Sequence, residues 1–457
     1  MDFYNLILNT DSYKASHFLQ YPAHTEFMSS YVESRGGLYE HTLFFGLQYF
    51  LKAYLEKPIT KANIDEAEAI LTAHGLVFHR AGWEYILKKH NGLMPIQIEA
   101  VEEGTLVPKR EVMVQVQNTD KQCFWLVNYL ETAILRAIWY PSTVATVSYH
   151  IKQIIKRYLE ETADNLDGLL FKLHDFGARG ASSFESASLG GLAHLVNFMG
   201  TDTSSSLLLA QKYYNEPMAG FSIPAAEHST ITSWGKENEL KAYENMLDQF
   251  SGKGKLVAIV SDSYNLWHAL ETLWGETLKE RVINNGGTIV IRPDSGNPVE
   301  VVCQSLEILM EKFGFTLNSK GYKVLPSYLR LIQGDGISAK SIQEILEAMK
   351  SKKLSADNVA FGMGAELLQK VNRDTLKFAM KASAVKINGK WQDVYKDPIT
   401  DQGKRSKKGR FALVKTNDRL KTIEINELSE ERNYLEKIFQ NGKLLKEMSI
   451  SNIRQKN

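Results

Sequence analysis

The chain has 457 residues, 44% hydrophobic and 23% charged, ordinary globular usage and enough chain for two or three structural units. Its 54 basic and 53 acidic residues leave a net charge of +1, so no global field draws it to nucleic acid or to an anionic membrane. Two cysteines, Cys123 and Cys303, are too few and too far apart for a disulfide framework or a paired-cysteine metal site, and read as buried apolar residues in a reducing compartment.

The opening MDFYNLILNTDSYK carries Asp2 and no basic stretch ahead of a long apolar one. It does not read as a signal peptide, and a cytoplasmic location is expected. The apolar runs 43–55 and 124–140 are interrupted by Gln48, Lys52, Asn128, Glu131 and Arg136, and neither supplies the roughly 20 apolar residues that a bilayer span requires. Up to about residue 165, helical stretches mix with strand-like pieces such as PIQIEAVEEGTLVP and EVMVQVQN.

From residue 169 the pattern changes. Short β-branched or aromatic runs recur, each closing on glycine, acid, arginine or histidine: LFKLHDFGARG, HLVNFMGTD, GFSIPAAEH, KLVAIVSD, GTIVIRPDSG, LRLIQGDG and NVAFGMG. Helix-period segments follow, including 229–250, 264–283, 298–313 and 338–350. Seven candidate strands whose C-terminal ends carry chemistry predict an α/β barrel, because all βα loops open on one face. An open doubly wound sheet is the alternative. The tail adds strand-like RFALVKT and LKTIEIN. The two flanks, 1–165 and 373–457, are expected to pair into an α+β domain around the barrel at 166–372. Between turn signals, KRSKKGR (404–410) reads as a solvated basic loop.

Several strand ends point to phosphate chemistry. GDGISA superficially fits a dinucleotide fingerprint, but the next strand ends in glycines where a ribose-binding acid belongs. Two phosphate-cradling turns, 334–336 and 362–364, fit better, with two plain tight turns as the alternative. SGKGKL lacks the first glycine of a P-loop. RPDSGNP would bring Arg292 and Asp294 to one mouth with Asp262 and Asp335, unless Asp294 merely caps the next helix. Three acids there suit ribose hydroxyls, Mg²⁺ and a cationic transition state, and Arg179 and Arg292 suit phosphates. His228, ahead of Ser229 and Thr230, is either a first-turn residue or a group that binds pyrophosphate or accepts a phosphoryl group. His174, within a barrel strand, reads as a core histidine.

Nine separated segments in order, TDSYKASHFLQYP, HDFGARG, NFMGTDT, SIPAAEHSTITSWG, VSDSY, IRPDSGNP, IQGDG, LLQKVNRD and KDP with KRSKKGR, make the chain resemble the nicotinamide phosphoribosyltransferase family over nearly its whole length. The resemblance implies a type II phosphoribosyltransferase fold and a homodimer with two shared active sites. It implies catalysis of nicotinamide mononucleotide formation from nicotinamide and phosphoribosyl pyrophosphate, the first step of NAD salvage. By motif, Phe176 and a partner subunit's Tyr13 would sandwich the nicotinamide ring, and Asp202 would accept from its carboxamide. Arg179, His228 and Arg292 would hold pyrophosphate, and Asp294, Gly334, Asp335, Gly364, Ala365 and Arg373 the nucleotide. Arg35, Lys381, Lys396 and Lys404 would complete the phosphate site, some across the dimer. The family couples turnover to ATP through a phosphohistidine at the position of His228, and Mg²⁺ accompanies the pyrophosphate substrate. Ala365 and Ala178 depart from the family pattern at the rim. Competing readings are a nicotinate-specific enzyme and a non-catalytic binding or signalling protein on the same scaffold.

Overall fold

A computed structural model describes residues 5–401 and 404–457. Six of the seven runs form one all-parallel sheet, in the order Gly200–Thr201, Leu173–Asp175, Val359–Met363, Leu329–Gln333, Thr288–Arg292 and Leu256–Val260. The seventh, GFSIPAAEH, forms no regular strand but bridges both edges, Phe221 to Gly200 and Ala225 to Ala258. Thr201 N donates to Phe221 O at 3.0 Å, Phe221 N to Met199 O at 2.7 Å, and Ala258 N to Pro224 O at 2.9 Å. Pro224 lacks an N–H, so this segment can make isolated bridges where a full ladder would fail. The sheet therefore curls into an irregular α/β barrel rather than an open doubly wound sheet. Ala258, Val290 and Ile332 fill its interior, with Phe176, Ile223 and Ala360 packed against them.

The connecting helices follow their local codes. Pro298–Phe313 has proline at its first turn and Asn297 as cap, whose side chain accepts from Val299 N and Glu300 N. Ser338 caps Ala339–Ser351 in the same way. Two expected helices differ. The segment 229–250 is split into His228–Thr232 and Glu239–Phe250, because Gly235 at φ +81° takes a left-handed conformation that no helix continues through. The segment 264–283 becomes Leu266–His268, a π-helical stretch Ala269–Thr277 and Lys279–Asn284.

By backbone contacts the chain divides into two units, one of Met1–Thr146, Leu209–Glu216 and Asn372–Asn457, the other of Val147–Leu208 and Pro217–Val371. The division falls within the helix Glu131–Thr162. The first unit is built on a seven-stranded antiparallel sheet in which Thr25–Ser34 pairs with Phe378–Ile387, and Ile96–Ala100 with Glu436–Gln440. Both cysteines are free and buried. No helix of the described residues is long and apolar enough to cross a membrane.

One turn assignment is corrected. Gly362 lies inside the strand Val359–Met363 rather than in a phosphate turn, and a Cβ there would fall 1.9 Å from Phe176 Cε2. Its bare α-carbon is the space the Phe176 ring occupies. Gly362→Ala should therefore cost about 1–3 kcal/mol by overpacking. The double variant Gly362→Ala/Phe176→Leu should lose less than the sum of the singles, as measured by denaturant unfolding.

Candidate active site

At the C-terminal mouth of the barrel, Glu227 caps the short helix and Thr230 completes the capping box, so His228 occupies the first helical position. Glu227, not Ser229 or Thr230, therefore supplies the acceptor to the exposed N–H groups of this helix. His228 Nε2 lies 3.1 Å from Asp262 Oδ1. The other oxygen of Asp262 accepts from Asp294 N at 2.8 Å and from Ser295 Oγ at 2.5 Å. Only 3% of the Asp262 side chain is exposed, against 44% of His228. Asp262 therefore staples the RPDSG loop to the histidine, with both oxygens engaged by protein groups.

Asp294 is not a helix cap, a role taken by Asn297. Its Oδ2 lies 3.8 Å from Arg292 Nη2 and 3.9 Å from His228 Nδ1. Burial pushes its pKa up, with Asp262 and Asp335 adding to the rise and Arg292 and His228 opposing it. Arg292 Nε is buried without a partner among the described residues.

Across the mouth, Asp175 holds the HDFGARG turn. It is fully buried, accepts from Gly177 N at 2.7 Å, and its carbonyl accepts from Asp202 N at 2.9 Å. Burial raises its pKa, hydrogen bonds from Thr203, Gly177 and Thr201 oppose the rise, and the charge of Asp202 adds to it. Phe176 N donates to Met363 O at 2.9 Å, fixing the ring over Gly362 and beside Gly334, whose Cβ would meet Phe176 Cε2 at 3.5 Å and Asp294 Oδ1 at 3.1 Å. Phe176, Ala178, Arg179, Asp202, Glu227, His228, Ser229, Arg292 and Asp294 line one cavity of about 410 Å³. Asp335 acts on Asp294 electrostatically. Gly364 precedes the one-turn helix Ala365–Leu368, and a Cβ on Gly180 would sit 2.6 Å from the Ala365 methyl. The Ala365 departure thus tightens the contact between the HDFGARG turn and this loop. His174 is largely buried, and desolvation lowers its pKa.

Sequence reasoning missed Ser222, whose hydroxyl donates to Asp202 Oδ1 at 2.5 Å. A serine in an irregular run gives no periodic signal; only closure of the barrel through residue 221 brings it there. Glu227 was also missed, although an acid just ahead of a helix is a recognisable cap.

The remaining expected residues lie in the other unit. Arg35 is paired to Glu33 at 2.8 Å. Lys381 is half-buried with its pKa lowered, by desolvation first, then by Arg35, Lys14 and Arg373, against a raising influence from Glu131. Arg373 reaches Asp374 at 3.3 Å. Tyr13 is exposed beside His17 and Lys14. Lys396 and Lys404 lie on the exposed loop with the basic run, Lys404 at 3.4 Å from Asp401. One cluster in this unit has metal-like spacing, His90, Asp120 and Cys123. Its Asp120 already takes hydrogen bonds from Tyr85 and His90, and burial pushes the Cys123 thiol up to about 12. It reads as a satisfied polar network.

The fold and the phosphate-suited mouth define a class. The family model for the nicotinate phosphoribosyltransferase (NAPRTase) family matches residues 171–442, and that for the nicotinamide phosphoribosyltransferase N-terminal domain matches 5–98. A nicotinamide phosphoribosyltransferase of Xanthomonas campestris pv. campestris is 54% identical, covering 98% of this chain and 97% of the relative; one of Acinetobacter baylyi is 31% identical over 98% and 95%. In fold, the chain is similar to the nicotinate-nucleotide pyrophosphorylase of Pyrococcus furiosus (TM-score 0.62, 16% identity, 100% and 96% coverage) and to human nicotinic acid phosphoribosyltransferase (TM-score 0.57, 16% identity, 98% and 92%). The chain belongs to the nicotinamide phosphoribosyltransferase family.

The electrostatics of Asp294 can be tested directly. Asp262→Asn removes a neighbouring negative charge and should lower the Asp294 pKa, whereas Arg292→Ala removes a cation and should raise it. Carboxyl ¹³C titration should move in opposite directions in the two variants; a common direction would mean that loop rearrangement, not charge, controls this group.

Proposed function

We propose that the protein joins nicotinamide to phosphoribosyl pyrophosphate, yielding nicotinamide mononucleotide and pyrophosphate as the first step of NAD salvage. The observation that carries this reading is Asp202 in the same cavity as Phe176 and Arg179. An ionised carboxylate accepts but does not donate, so it suits the carboxamide N–H of nicotinamide and repels the carboxylate of nicotinate. Full-length identity to named nicotinamide phosphoribosyltransferases supports the same choice.

In this reading Phe176 supports one face of the ring. The pyridine nitrogen is unprotonated at neutral pH and attacks C1 of the phosphoribosyl group without a general base, so catalysis is positioning and electrostatics. Asp294 is the carboxylate nearest the developing oxocarbenium charge, and Arg179, Arg292 and His228 receive the leaving pyrophosphate. A Mg²⁺ accompanying the pyrophosphate fits the hard oxygens of Asp294 and Asp335, the former raised in pKa and short of a cation. ATP acts as a coupled substrate through a phosphorylated His228, an assignment favoured by that imidazole's exposure and by the cationic Arg292 close to the same acid. The working form is a homodimer in the cytoplasm, in which Tyr13, Arg35, Arg373, Lys381, Lys396 and Lys404 complete the substrate site, some of them from the partner subunit. This extension rests on the family resemblance and on the excess of cations around Lys381.

The test is product formation with nicotinamide and nicotinate side by side, with and without ATP. Wild type should strongly prefer the amide. Asp202→Asn should raise the nicotinate-to-nicotinamide ratio of kcat/KM by at least about tenfold. A ratio that does not move would make Asp202 a structural turn residue. His228→Ala should abolish ATP hydrolysis and leave slow ATP-independent synthesis; unchanged hydrolysis would remove the phosphohistidine assignment.

A further inference from the structure

Glu33 belongs to none of the motifs above, yet it is a buried acid of the terminal unit that holds two cations. It sits near the end of the strand Thr25–Ser34, 2% exposed. Its Oε1 accepts from Arg35 Nε at 2.8 Å and its Oε2 from Lys407 Nζ at 2.7 Å. Lys407 is pinned a second time, its backbone N donating to Tyr31 Oη at 2.8 Å. Burial and the nearby Glu33 push the Tyr31 phenol up to about 12, so this hydroxyl stays neutral and can accept that bond.

We propose that Glu33 is a positioning residue that ties Arg35 and the basic segment 404–410 into one anion-receiving unit for the phosphate groups of the substrate. Three observations carry this. Arg35 is held by its Nε, while its Nη2 is buried and has no partner among the described residues, a desolvated donor that an anion would satisfy. The loop held at Lys407 is stitched to Lys396 in both directions, Ser406 N to Lys396 O at 2.9 Å and Lys396 N to Ser406 Oγ at 2.8 Å. Fixing Lys407 therefore fixes Lys396 too. Finally, one buried carboxylate bridging two cations leaves the three groups net positive, and two charge-assisted hydrogen bonds to a buried acceptor hold their geometry where a single exposed ion pair would not. A carboxylate that only neutralised a buried arginine would have no need of the lysine from a segment so distant in sequence.

The substrate part of this inference rests on the proposed phosphoribosyl transfer; the clamp itself does not, and two readouts separate them. In full-length protein, Glu33→Gln keeps an acceptor but removes the charge that two cations share. Limited trypsin cleavage after Lys404, Arg405 and Lys408 should accelerate by about fivefold or more, and the KM for phosphoribosyl pyrophosphate should rise about tenfold with the KM for nicotinamide changed by less than about twofold. Lys407→Met should reproduce the faster cleavage at those sites, and the double variant should be no worse than Glu33→Gln alone. Should Glu33→Gln fail to fold, Lys407→Met carries both measurements. Unchanged cleavage and unchanged KM in a folded variant overturn the proposal, as does a rise in both KM values together, which marks a merely structural residue. A wild type that does not turn over phosphoribosyl pyrophosphate defeats the proposed reaction and the substrate role of Glu33, while the cleavage comparison still decides the clamp.

Discussion

The barrel depends on a closure made by very few atoms. Six parallel strands leave two open edges, and the bridges at Phe221 and Ala225 join them through a segment that cannot itself form a ladder. Every position downstream inherits that constraint. Ser222 is carried to Asp202, Ile223 is turned into the interior, and His228 emerges at the mouth only three residues after the second bridge. The short connection leaves the histidine little freedom, so the Asp262 contact selects its orientation at small entropic cost.

The mouth then balances opposed charges at close range. The Asp262 side chain is buried with both oxygens hydrogen-bonded, whereas Asp294 is more open and burial raises its pKa. Two like residues thus acquire different work from their surroundings, one holding the loop and the imidazole, the other left short of a counter-charge. The arginine and histidine beside Asp294 temper that deficit without cancelling it, and the remaining deficit suits a cation or a ribose that develops positive charge.

Much of the barrel was legible because its signals are local. Runs such as KLVAIV and GTIVI are too apolar and too short for anything but buried parallel strands, and Asn297-Pro298 and Ser338 announce their helices. The acids at strand ends could be gathered into one mouth by topology alone. What the sequence hid are effects of three-dimensional proximity. Gly362 looked like a turn because it sits among glycines, but its role is set by a phenylalanine just past the end of the adjacent strand. The break at Gly235 was masked by helix-forming neighbours on both sides, and the links from Ser222 to Asp202 and from Glu33 to Lys407 join residues that no period connects.

The antiparallel sheet of the terminal unit has a consequence for how the chain is made. Thr25–Ser34 lies between Val112–Asn118 and Phe378–Ile387, and Ile96–Ala100 lies between Val112–Asn118 and Glu436–Gln440. When the first of these strands leaves the ribosome, one of its neighbours is still untranslated, and at about 5–20 residues per second the wait lasts on the order of tens of seconds. The parallel barrel, encoded almost wholly between those two arms, can order itself during that interval. The amino-terminal strands meanwhile present unpaired edges to the cell, so nascent chains are most exposed to aggregation and to chaperones before the carboxy-terminal arm arrives.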